Sequence, residues 1–306
     1  MVEPIRIFSY SFSDFVFLRN LIEGYATINL FERLDLFVQV YSPEEAQFIV
    51  FPLSIDGFLE NEQPNRSCLN FFQTLTYYKQ YEAKHIFFSF HDYSDSLESN
   101  SIFFRASVRR SIATKTTFAF PYDVRDSGTE LNKLQYHTSF VGATSTYPLR
   151  KELENVLSHS KNLQFYVNTV DTFYENISSN ELKSERKQLF LQSVHQSFTI
   201  CCPRGNGVQS KRFFEVLSMG RIPILISDDV LLPIENEIEY SKVILRLPED
   251  SISQIERYLA PFFLVNNGEE ILERFQYARK TWIDYLQPYK WGELIAYHLN
   301  KVIHQT

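Results

Sequence analysis

Short apolar runs of strand type alternate with longer runs of helical type along nearly the whole chain, from Ile5–Tyr10 to Val243–Leu247. This alternation narrows the possible folds more than any other feature. Strands separated by helices are expected to lie parallel, because a parallel pair needs a crossover of a dozen or more residues. Strands are predicted at 5–10, 37–41, 47–53, 85–90 and 117–121, and again at 139–142, 164–167, 198–202, 222–227 and 243–247. Helices are predicted over 69–83, 102–113, 149–158, 181–195, 211–219 and 251–258, with a largely helical tail from Glu269 that breaks near Pro288. Residues 15–31 read as mixed, and Ser42-Pro43-Glu44-Glu45 as a helix start that opens only a short turn. The expected fold class is α/β, with parallel sheets in both halves.

A chain of 306 residues is long for one core and suits two. The boundary is expected within Lys133–Gly142. This gives a first domain at 1–137, a second at 138–270 and a helical tail at 271–306 that packs back on the first. The net charge of −7 argues against general nucleic-acid binding, which calls for a basic excess. No apolar run approaches the ~18 residues of a membrane span. The N-terminus enters a strand directly rather than a signal peptide, so a cytoplasmic or otherwise soluble protein is expected, or a Golgi-lumen one if the sequence is part of a longer chain. Cys68, Cys201 and Cys202 have no metal-ligand spacing and read as buried free thiols. The sequons at Asn65 and Asn176 carry little weight alone.

The chemistry concentrates in Phe198–Asp228. There a buried strand runs into a loop with Gly205 and Gly207, then a helix opening Ser210-Lys211-Arg212 and closing at Gly220, then another buried strand. A helix N-terminus carries partial positive charge, so two bases in its first turn cost about 0.3–1 kcal/mol each. A bound phosphate would reverse that sign, since free N–H groups, dipole and cations would then act together. Arg212 and Glu215, three apart, share a helix face; the first can take a phosphate and the second ribose hydroxyls. An ordinary crossover with a surface Arg–Glu pair explains the local pattern equally well.

Several segments, in order, resemble the exostosin-type glycosyltransferases, glycosyltransferase family 47. They are Ser42–Leu53, Phe88-Ser89-Phe90-His91-Asp92-Tyr93, Phe140-Val141-Gly142 with Leu149-Arg150, and Cys202–Pro233. In the last, which is the most specific, Ser210, Arg212, Glu215, Gly220, Pro223, Asp228 and Pro233 fall in register, while Val216 stands where the family has Ala. The resemblance implies the GT-B architecture, two Rossmann-like domains facing a cleft with the nucleotide sugar on the second. It also implies an inverting transfer from a UDP-sugar to a glycan hydroxyl, with no obligatory metal and no cofactor beyond the donor. On that basis Arg204, Gly205, Ser210, Lys211, Arg212 and Glu215 are the expected donor-binding residues.

An inverting transfer needs a base, expected on the first domain at a strand's carboxyl end. Asp92 is favoured and His91 competes with it; a loop-capping role for Asp92 is an equal alternative. Asp14 is a third candidate, read rather as a helix cap. Arg150 reads equally as a cleft residue or a solvated helix-start residue, and Arg105, Arg109 and Arg110 as a solvated helix face. Two further functions stay open: a silent nucleotide-sugar or glycan-binding module of the same fold, and a two-domain α/β enzyme of phosphorylated sugars. The donor sugar, acceptor and oligomeric state are not legible.

Overall fold

The computed structural model describes residues 3–11, 15, 26–60, 62–129, 133–265 and 268–305; Asp14 lies outside the described residues. The chain forms two units. One comprises Met1–Asp123, Leu231–Ile234 and Pro288–Thr306, the other Val124–Val230 and Glu235–Gln287.

The first unit is built on six parallel strands: β1 (Ile5–Ser9), β2 (Phe37–Gln39), β3 (Phe48–Ser54), β4 (His85–Ser89), β5 (Ile102–Arg105) and β6 (Thr117–Ala119). Their order is β2-β1-β3-β4-β5-β6. Successive side chains point to opposite faces, so each central strand feeds two cores. Val50, Ile86, Phe88 and Phe104 pack with Trp291, Ile295 and Leu299 of the C-terminal helix Trp291–Gln305. Ile49, Phe51, Phe87 and Phe103 pack on the other face with Cys68 and Phe72 of the helix Pro64–Phe72. Pro52 sits inside buried β3, where it has no N–H to give the ladder. The β3–β4 register shifts between Val50 and Ser54, around that position.

Residues 102–113, expected as a helix with a solvated basic face, are instead strand β5 followed by a 3-10 turn at Arg110–Ile112. A strand buried on both faces is a continuous apolar run, which periodicity does not separate from a buried helix. Arg105 is correspondingly buried rather than solvated. The helix expected over 69–83 ends at Phe72, and shorter turns at Tyr78–Tyr81 and Glu82–Lys84 follow.

The second unit has five parallel strands: β7 (Tyr136–Ala143), β8 (Phe165–Val170), β9 (Ser197–Pro203), β10 (Ile222–Ile226) and β11 (Leu245–Arg246). Their order is β11-β10-β9-β7-β8. Counted within each unit, both sheets run second-first-third-fourth-fifth, with a sixth strand added beyond the fifth in the first unit, a doubly wound Rossmann-like order. It reverses direction between β1 and β3 in one unit and between β7 and β9 in the other. The expected α/β class with two parallel-sheet units is the observed one.

The domain boundary at 137/138 falls inside β7, which already pairs with β9 at Tyr136–Ser197; the structure divides the chain at Asp123/Val124 instead. The tail expected at 271–306 also divides. Ile271 and Phe275 pack with Ile222 and Phe262 in the second unit, and only the part from Pro288 onward belongs to the first.

Candidate functional site

In doubly wound sheets, ligands bind beyond the carboxyl ends of the strands, where the strand order reverses. In the second unit that point is defined by the ends of β7 and β9. Arg150, on the helix Pro148–His159, ties them together. Its Nε donates to the Arg204 carbonyl at 2.8 Å, Nη1 to Ala143 O at 3.2 Å and Nη2 to Pro203 O at 3.2 Å. The side chain is buried, so it is a structural clamp rather than a solvated residue. A Cβ on Gly205 would lie 3.3 Å from Arg150 Nη2, which accounts for a small residue there.

Arg204 follows at the end of β9. Its N–H donates to Ile226 O at 3.0 Å, and its guanidinium lies over the Tyr147 ring at 4.4 Å and 3.9 Å from Glu249. Glu249 and Asp228 fix each other: Asp228 N donates to Glu249 Oε1 at 3.2 Å, and Glu249 N to Asp228 Oδ1 at 3.1 Å.

The helix after the loop runs Lys211–Ser218 and stops at Gly220, whose φ of +63° suits a glycine terminus. Ser210 occupies the N-cap position with extended backbone, but its hydroxyl makes no capping bond. The helix therefore begins without side-chain capping of its first N–H groups. Lys211 is exposed beside them.

Arg212 differs from the expectation of an open phosphate ligand. Its side chain turns inward, Nη2 donates to Val141 O at 2.6 Å, and the guanidinium lies over Phe140 at 5.4 Å and Phe190 at 5.6 Å. Its Nε and Nη1 are buried without a hydrogen-bond partner among the described residues. Arg212 and Glu215 form no ion pair among the described residues. The Glu215 carboxyl is half-buried, and burial raises its pKa against the opposing pull of Arg212, Lys211 and Lys187. Buried Thr146 Oγ1, both side-chain ends of Gln209, and Ser227 Oγ likewise lack partners among the described residues. These atoms follow β7, β9 and β10 in sequence, so unused hydrogen-bonding capacity lies past the carboxyl ends of these three strands. Thr146, Tyr147, Gln209 and Glu249 carried no recognisable signal in the sequence.

In the first unit, His91 and Asp92 lie just past β4. Asp56 Oδ1 accepts from Phe90 N at 2.8 Å and His91 N at 3.1 Å. Tyr93 N donates to His91 Nδ1 at 3.0 Å, so that nitrogen is unprotonated and Nε2 carries the proton of the neutral ring. Asp92 Oδ1 accepts from the Tyr122 hydroxyl at 2.6 Å. The six expected donor-binding residues thus share one strand–loop–helix passage of the second unit, while His91 and Asp92 belong to the first.

Two parallel doubly wound units with this strand–loop–helix passage are compatible with the exostosin-type family. The Exostosin GT47 domain matches residues 19–261, and the chain belongs to that family. It is 26% identical over 89 residues to the Probable glucuronosyltransferase GUT1 of Oryza sativa subsp. japonica, a match covering 28% of this chain and 21% of that protein. It is 23% identical over 197 residues to the Exostosin-1 homolog of Caenorhabditis elegans, covering 60% of this chain and 50% of that one. The chain thus spans half or less of the length of these relatives. A solved glycosyltransferase from Rickettsia africae ESF-5 aligns over 100% of both chains with a TM-score of 0.44 and 9% identity. Among the described residues no helix is long and apolar enough to cross a membrane, and no group of three or more His, Cys, Asp or Glu is gathered as a metal site.

Proposed function

We propose that this chain transfers a sugar from a nucleotide-diphosphate donor, a UDP-sugar by family resemblance, to a hydroxyl of a glycan, with inversion and without a metal. The supporting observation is the switch point of the second unit. There an uncapped helix N-terminus, the cations Lys211 and Arg204 and the unpartnered polar atoms suit a diphosphate. Glu215, half-buried with no ion pair to Arg212, takes the ribose hydroxyls. Arg212 reaches the diphosphate by leaving its inward position; its two unpartnered nitrogens make that position a costly one for a cation.

The reaction forms a bond from the acceptor oxygen to the anomeric carbon and breaks the bond to the diphosphate, which departs with the electron pair. The acceptor's proton goes to a base, and Asp92 is the better candidate. His91 in its present tautomer presents a proton at Nε2 rather than a lone pair. UDP-glucuronic acid is the first donor to try, because the relatives include proteins named glucuronosyltransferases. Calorimetric titration with UDP and hydrolysis of UDP-glucuronic acid test the reading. It fails if neither UDP nor any nucleotide sugar binds. Binding without turnover against any acceptor would instead make the chain a binding module.

A further inference from the structure

We infer that Tyr122 is the positioning residue for Asp92, holding one carboxylate oxygen so that the other is left to take the proton; this rests on the reading of Asp92 as the base. Several polar atoms of the turn after β4 are held. Asp56 accepts from the N–H groups of Phe90 and His91, and the Ser94 hydroxyl donates to Asp92 O at 2.9 Å. Buried Arg105, at the end of β5, donates from Nη1 to Asp95 O at 2.7 Å and from Nη2 to Tyr93 O. These bonds hold the backbone on either side of Asp92 in place, and a group that must meet a substrate within fractions of an ångström needs such a support.

Tyr122 supplies the contact that reaches the carboxylate itself. It lies past β6 and is buried, so a phenylalanine would fill the same space without a polar atom to satisfy. Its hydroxyl instead donates to Asp92 Oδ1 at 2.6 Å, a short bond. Burial, then the neighbouring carboxylate, raises the phenol well above its ordinary pKa, so it remains a donor throughout the working range. Asp92 Oδ2 has no hydrogen-bond partner among the described residues. The other charged and titratable groups around the turn are His91, Tyr93 and Asp95 on it, Asp56, Cys68, Arg105, and Arg109, which pairs with Asp95 at 3.2 Å.

The test compares Tyr122→Phe with Asp92→Asn in hydrolysis of UDP-glucuronic acid across pH, with thermal unfolding as the check on folding. A donor bond to a carboxylate favours its ionised form. Its loss is therefore expected to raise the acid limb of the kcat profile and lower kcat about tenfold, with KM for the donor unchanged. Incorporating 3,5-difluorotyrosine at 122 keeps the shape and strengthens the donor, so the limb should move down; this arm holds if the phenylalanine variant unfolds. If Asp92→Asn abolishes turnover while both Tyr122 variants leave kcat and the acid limb unmoved, the positioning role is overturned and the base stands. If Asp92→Asn turns over normally, the base is wrong and the inference falls with it.

Discussion

A Cβ placed on Gly142 would lie 2.2 Å from Nη2 of Arg212, so the guanidinium occupies the space a side chain at 142 would need. Phe140 gives that guanidinium an aromatic face, Val141 a carbonyl acceptor, and Gly142 room. The Phe-x-Gly and Arg-x-x-Glu elements of the sequence, some seventy positions apart, form one berth. Gly142→Ala is expected to displace Arg212 and, because φ at 142 is +157°, to strain the backbone, destabilising the protein by about 1–3 kcal/mol, read from urea unfolding. Arg212→Ala should weaken UDP at least tenfold by calorimetry, a loss that would be absent if the inward position were its only role.

Arg150 is expected to matter for folding before it matters for binding. Its removal leaves the carbonyls of Ala143, Pro203 and Arg204 without their shared donor. Arg150→Met should cost about 3 kcal/mol in denaturant unfolding, because buried acceptors lose charged partners. An unchanged midpoint would contradict the clamp.

Glu215→Gln should separate stability from binding. The partly buried carboxyl is raised in the folded state, so ionising it opposes folding as pH rises above its ordinary value. The variant should therefore unfold at a slightly higher temperature near neutral pH. It should also lose the preference for UDP over its 2′-deoxy analogue, measured as a ratio of dissociation constants. A retained preference would remove Glu215 from the ribose site.

Two buried histidines predict acid sensitivity. His85 donates from Nδ1 to Tyr81 O at 2.8 Å and accepts at Nε2 from Tyr10 at 2.9 Å; His298 stacks on Phe118 at 4.2 Å. Burial lowers both from 6.5 to about 4. A depressed folded pKa means the unfolded chain binds more protons between these values, so stability is full above pH 6.5 and is lost as pH falls towards 4. Each contributes on the order of 3 kcal/mol. His298→Phe should flatten the fall in the urea midpoint between pH 6.5 and 4, and an unaltered slope would rule out its share.

Most strands were legible because a parallel sheet covered on both faces leaves apolar runs bounded by turns, as β3, β4, β9 and β10 do. Ile102–Arg105 was not, since four apolar-rich residues followed by arginines fit a helix start as well as a strand end. The strand–loop–helix path through Arg204–Glu215 was legible, and its first-turn cations stood out because they run against the helix dipole. What those cations touch was not, because a guanidinium finds its acceptor through contacts far away in the chain.

The sequence by itself determined the α/β class and its two parallel sheets, the helix opening at Lys211 and the family resemblance. These follow from periodicity, local charge and motif spacing, which act between near neighbours. Only the tertiary structure decided that Arg150 ties three carbonyls, that Arg212 lies in a berth beside Gly142, that Tyr122 holds Asp92 and that the division comes at Asp123. Each joins residues from different strands or loops, and their meeting depends on strand order, which no local pattern encodes.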